Sequence, residues 1–230
     1  MKKDIFSIAN QKDPLLVLLL SCVVVICVSI TTPAFSSEIV YDNTLDSLSS
    51  YSPAAGEYGD QITLAGTNRL IDTFTFSYYV WGLIDGDETA RIRFYANDGS
   101  GGLPGTQLYD SGRLALSPSI GVNDFAVSNL SVLVPDTLTW TVLLGGILRT
   151  EIEANAGGLR FFDPPTIGSS NRGFFWYKRD TGFEQITVTS GAPNNFNARL
   201  TANPVPEPAT MLLLGCGLLG LWGARKKFKK

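Results

Sequence analysis

Between residues 38 and 203 apolar and polar side chains alternate. Phe74, Phe76 and Tyr78 are interleaved with Thr73, Thr75 and Ser77, and Ile92 and Phe94 with Arg91, Arg93 and Tyr95. Leu138, Trp140 and Val142 are interleaved with Thr137, Thr139 and Thr141, and Phe196, Ala198 and Leu200 with Asn197, Arg199 and Thr201. Successive side chains of a strand point to opposite faces, so each stretch offers one face to a core and the other to water. Shorter runs predict further strands at 38–43, 61–65, 107–110, 124–127, 130–134, 159–162, 173–178 and 183–189. Turn chemistry separates them: Asp85-Gly86, Asn97-Asp98-Gly99, Pro104-Gly105, Asp110-Ser111-Gly112, Pro135-Asp136, Asp163-Pro164-Pro165 and Ala192-Pro193-Asn194. No stretch of this region sustains a helical period. Many short strands at roughly ten-residue spacing predict one all-β domain, an antiparallel β-sandwich of jelly-roll-like type.

The two ends read differently. Lys2, Lys3 and Lys12 precede an uncharged run over 15–30, and Ala34-Phe35-Ser36 places small residues where a signal peptidase cuts. Residues 1–36 are therefore expected to form a signal helix, exported through the Sec translocon and cleaved after Ser36, although the same run is long enough for an uncleaved anchor. At the other end Pro204, Pro206 and Pro208 hold the chain extended, without the backbone donors that a helix or sheet needs. An uncharged run over 209–224 follows. Its 16 residues make a helix of about 24 Å, short of the ~30 Å hydrocarbon layer unless Trp222 and the long basic side chains help it to span. Arg225, Lys226, Lys227, Lys229 and Lys230 form a stop that stays on the cytoplasmic side, which turns residues 37–203 outward.

Val205-Pro206-Glu207-Pro208, then an apolar helix, then a basic tail, resembles the PEP-CTERM sorting signal of Gram-negative bacteria. The resemblance covers residues 204–230. It implies recognition in the inner membrane by an exosortase, a transpeptidase-like protease that cuts near the Pro-Glu-Pro. It also implies only transient anchoring before release to the cell surface or a biofilm matrix of extracellular polysaccharide. Stretches such as GDQITLAG (59–66), ARIRFYANDG (90–99) and PGTQLYDSG (104–112) resemble a β-sandwich ectodomain type common among PEP-CTERM proteins. That likeness implies a fold class and no activity.

Composition narrows the chemistry. The span 38–203 carries ten basic and eighteen acidic side chains, a net of about −8 against −3 for the whole chain. That charge disfavours nucleic acid and anionic lipid as partners. Cys22, Cys27 and Cys216 all fall in the two apolar runs, so the outward domain has no disulfide. The chain has no histidine, which removes imidazole bases, Ser-His-Asp machinery and His-ligated metals.

Few candidates for a site are left. Asp85, Asp87 and Glu88 in one turn and Asp98 in the next would hold Ca²⁺ through oxygen ligands if the two loops met, and are otherwise a solvated acidic surface. No other cofactor is expected. Trp81 and Trp176 are candidate stacking faces for a sugar ring. Within 174–177, period two instead sends either Phe175 and Tyr177 or Phe174 and Trp176 into the core. Glu151 and Glu153 would share one strand face, as paired carboxylates for glycoside hydrolysis. The leading expectation is a non-enzymatic surface or matrix protein without catalytic residues. A carbohydrate-binding module is the second reading, and a carboxylate-based glycoside hydrolase the third.

Overall fold

A computed structural model describes residues 36–52, 56–147, 157–187, 194–205 and Gly215. The chain divides into two compact units, 1–35 and 36–230, and all described residues belong to the second. Its strands, in chain order, are β1 (Glu38–Asn43), β2 (Ser47–Tyr51), β3 (Glu57–Thr63), β4 (Leu70–Val80), β5 (Thr89–Ala96), β6 (Gln107–Asp110), β7 (Leu114–Ala115) and β8 (Gly121–Val127). There follow β9 (Val132–Leu133), β10 (Thr137–Gly145), β11 (Gly157–Phe162), β12 (Ser169–Ser170), β13 (Phe174–Arg179), β14 (Gly182–Thr187) and β15 (Ala198–Asn203). The signal helix expected from the sequence, the Glu151/Glu153 pair and, apart from the helical Gly215, the tail helix lie outside the described residues.

Two antiparallel sheets form the domain. In the first, β1, β15, β4 and β8 lie side by side; in the second, β3, β10, β5 and β6 do. Along these eight strands the chain crosses between the sheets at every step but the β5–β6 hairpin, which is the jelly-roll order and agrees with the sequence. The remaining strands extend this frame. β11 continues the edge of β4 beyond β15 and carries β2, while β13 and β14 extend the second sheet beyond β3.

The alternation read from the sequence becomes the core. Phe74, Phe76, Tyr78, Ile92, Phe94, Leu138, Trp140, Val142, Ala198 and Leu200 are all buried between the sheets. Phe196 precedes β15 and touches both sheets: its ring stacks 4.6 Å from Phe161 and meets Phe175 at 5.4 Å and Trp140 at 6.1 Å, edge to face.

The outer face of the second sheet is covered as well. β14 stands four places from β5 in the sheet order, yet Phe183 lies 4.9 Å from Tyr95, so the sheet curls until its edge hairpin crosses its own outer surface. Gly59 permits the bend: a Cβ there would come within 1.7 Å of the Trp140 carbonyl oxygen. Beneath the hairpin lies a polar network. Glu57 pairs with Arg93 and accepts a hydrogen bond from the Thr141 hydroxyl at 2.6 Å. Asp110 accepts from Arg93 Nε at 3.0 Å and, in bidentate fashion, from Arg91 at 2.8 and 2.6 Å. The Arg91 guanidinium above all holds the Asp110 carboxyl well below the usual carboxylate range. The expectation of a solvated face for Arg91 and Arg93 is thus corrected: both are held in this network, with Arg93 mostly covered.

Asp60 points into the sandwich, with Phe196 N donating to one carboxyl oxygen and no partner on the other. Burial pushes its carboxyl far above the ordinary carboxylate range. A carboxyl raised in the folded state contributes stability below its unfolded pKa and loses that contribution as pH rises through the folded one. Asp60→Asn keeps an acceptor for Phe196 N without the charge. It is expected to raise unfolding stability at pH 7 by about 1–3 kcal/mol, the scale of one unsatisfied buried group. The gain should shrink below pH 4, where wild-type Asp60 is protonated in both states. Urea titrations at the two pH values check this, and an equal or lower stability of the variant at pH 7 would contradict it.

Candidate functional site

A groove of about 360 Å³ opens on the outer face of the first sheet. Its floor is β4, whose inward residues are apolar and whose outward ones are Thr73, Thr75, Ser77 and Tyr79. Register decides what stands beside them. Ser77 faces Asp124 on β8, Thr75 faces Arg199 on β15, and Tyr79 faces Val122 on β8. Arg160 enters from β11, which meets β4 through two glycines; a Cβ on Gly157 would come within 1.9 Å of the Tyr79 carbonyl oxygen. Arg160, Arg199, Asp124, Thr75 and Ser77 all line the groove, with the Phe162 ring as its apolar wall.

The charges in the groove are unequally committed. Arg199 is held by Asp42, with Nη2 at 2.9 Å and Nε at 3.0 Å from the same oxygen. Arg160 lies over the Phe162 ring at 4.9 Å and donates to Ser47 Oγ. Among the described residues neither Arg160 nor Asp124 has an ion-pair partner, although both face the same space. Next to the groove Tyr51 and Tyr79 stack at 5.0 Å with their planes 17° apart, and Tyr51 is 41% exposed.

The residues singled out in the sequence fare variously. Trp81 is 37% exposed and so offers part of a face. Trp176 is 3% exposed and packs edge to face against Phe174 and Phe183, which corrects its assignment as a surface stacking residue. Neither period-two alternative for 174–177 holds alone. Phe175 and Trp176 are both buried because the hairpin is covered on both sides.

Asp85, Asp87 and Glu88 do converge, with one carboxyl oxygen of each within 4.8 Å of the others. Glu88 is largely committed already: its two oxygens accept from Asp85 N at 2.9 Å and Gly86 N at 3.1 Å, fastening the turn. The hydrogen bond and negative charge of Asp85 raise the Asp87 carboxyl above its ordinary value. Asp98 does not join them. It accepts from Thr106 N at 2.7 Å and Thr106 Oγ1 at 2.6 Å, which lowers its pKa and fixes its own turn. The two acidic loops therefore do not form one cation site.

Val205 is exposed at the end of the described domain. Pro206, Glu207 and Pro208, and the stop residues Arg225, Lys226, Lys227, Lys229 and Lys230, lie outside the described residues. No helix among the described residues is long and apolar enough to cross a membrane.

The terminal motif implies an exported, surface-directed protein. Residues 204–227 match the family model of the PEP-CTERM protein-sorting motif, which implies processing by an exosortase. No curated protein and no solved structure matches the chain.

Proposed function

We propose that this chain is a non-catalytic surface or matrix protein. In this reading the Sec translocon exports it, signal peptidase trims its leader, and an exosortase removes its tail after transient anchoring in the inner membrane of a Gram-negative cell. The sandwich then remains at the cell surface or in the extracellular polymer. The observation that carries the reading is the sorting motif over residues 204–227. The lack of histidine removes imidazole-based catalysis, and among the described residues the grooves lined by Asp124 and by Asp87 present one carboxylate each. The function needs no cofactor; calcium at Asp85, Asp87 and Glu88 is the alternative that their convergence supports.

Intact-mass measurement of the protein recovered from its host tests the processing. The expected chain begins near Ser37 and ends near Pro206, and in a strain lacking the exosortase the tail stays attached and the protein stays in the inner membrane. Recovery of the mature pool with Lys230 still in place would refute exosortase processing.

A second reading, a carbohydrate-binding module, is favoured by the groove on β4 and the flat tyrosine pair beside it. It is compatible with the first, since a matrix protein needs something to hold.

A further inference from the structure

We propose that the outer face of β4 is a binding site for an uncharged polysaccharide with free vicinal hydroxyls, held between Asp124 and Arg160. The proposal rests on the second reading above and supplies its site and ligand class.

A groove of about 360 Å³ falls within the ~300–1,000 Å³ of small-ligand sites. Its chemistry is a mixed set of donors and acceptors. Asp124 accepts only, so its carboxylate can take two hydroxyl protons from neighbouring carbons of one ring. Arg160 donates only, through a planar fork that matches a pair of hydroxyl oxygens. Thr75, on the floor of the groove, can do either.

Among the described residues the two charges are left without ion-pair partners and cancel, while Arg199 is already neutralised by Asp42. A polyanion would therefore gain one free arginine and meet a bare carboxylate, inside a domain of net charge about −8. An uncharged hydroxyl-rich chain uses both groups and incurs no such repulsion. The stacked Tyr51 and Tyr79 rings extend the surface with a flat apolar face suited to the C–H side of a sugar ring. Trp176, which is buried, takes no part.

The test is native affinity electrophoresis of the full chain in a sugar-free detergent, through gels containing α-1,6-glucan, galactomannan or alginate. The first two are neutral and carry vicinal hydroxyls, and alginate is a polyuronate. At least one neutral polymer should retard the protein, and alginate should retard it less. Asp124→Asn and Arg160→Gln should each weaken retardation roughly tenfold or more, as expected for losing a charge-assisted hydrogen bond. Both test positions lie outside the core, so the variants should fold; near-ultraviolet circular dichroism verifies this.

Retardation by neither neutral polymer would overturn the carbohydrate-binding reading itself. Retardation undiminished in both variants would leave that reading standing and refute this site. Stronger retardation by alginate would overturn the assignment of an uncharged ligand.

Discussion

Phe196→Ala is expected to cost about 3–5 kcal/mol, the range for deleting a buried aromatic ring from a packed interior. Phe196 is fully buried and makes ring contacts with Phe161 on β11, Phe175 on β13 and Trp140 on β10. These strands belong to both sheets, so its loss opens the seam where the inserted strands join the eight-stranded frame. The surroundings are poorly placed to close the cavity. The Phe196 backbone is pinned by Asp60, which accepts from its N–H, and by Asn43 Nδ2, which donates to its carbonyl at 3.0 Å. Urea unfolding of the mature domain reads the loss directly. A change below about 1 kcal/mol would mean that the ring does not bridge the sheets as described.

Glu57→Ala is expected to cost about 3 kcal/mol, the low end for breaking a buried ion pair by removing one partner. Arg93 would keep Asp110 on Nε but lose its partner on Nη1, and the buried Thr141 hydroxyl would lose its acceptor. A paired change, Glu57→Leu with Arg93→Met, should recover most of the loss, since two apolar side chains under the hairpin leave no charge stranded. Failure of the double variant to exceed the single one would show that the network is not paired as described. The acid limb should respond too. Asp110 is depressed by its arginines, so its contribution is present above the ordinary carboxylate range and is lost as pH falls towards its folded value. Asp60 works in the opposite sense.

Much of the frame was legible from period two alone. The inward sets of β4, β5 and β10 lie in the core as their alternation requires, and the 38–43 and 107–110 segments match β1 and β6 in full. The jelly-roll order agrees with the class predicted from strand number and spacing. β2 escaped notice because its five residues, Ser47–Tyr51, hold three serines and no alternating apolar set. The polar layer above the second sheet escaped for a different reason. Thr139 and Thr141 read as water-facing, and they would be, had the chain not folded a later hairpin over them. That cover depends on contacts between residues nearly ninety positions apart, such as Tyr95 with Phe183, to which no local pattern points. The groove was invisible for the same reason. Thr75, Asp124, Arg160 and Arg199 come from four separate strands, and only register brings them together. The sorting tail, by contrast, was legible because its signal is linear.

Glu38 on β1 lies opposite Ala202 on β15, so the chain enters and leaves the sandwich at one spot. β15 is not an edge strand; β1 flanks it on one side and β4 on the other. Tension applied through Val205 therefore pulls lengthwise on a strip clamped along both margins, and many ladder bonds share the load instead of failing one by one.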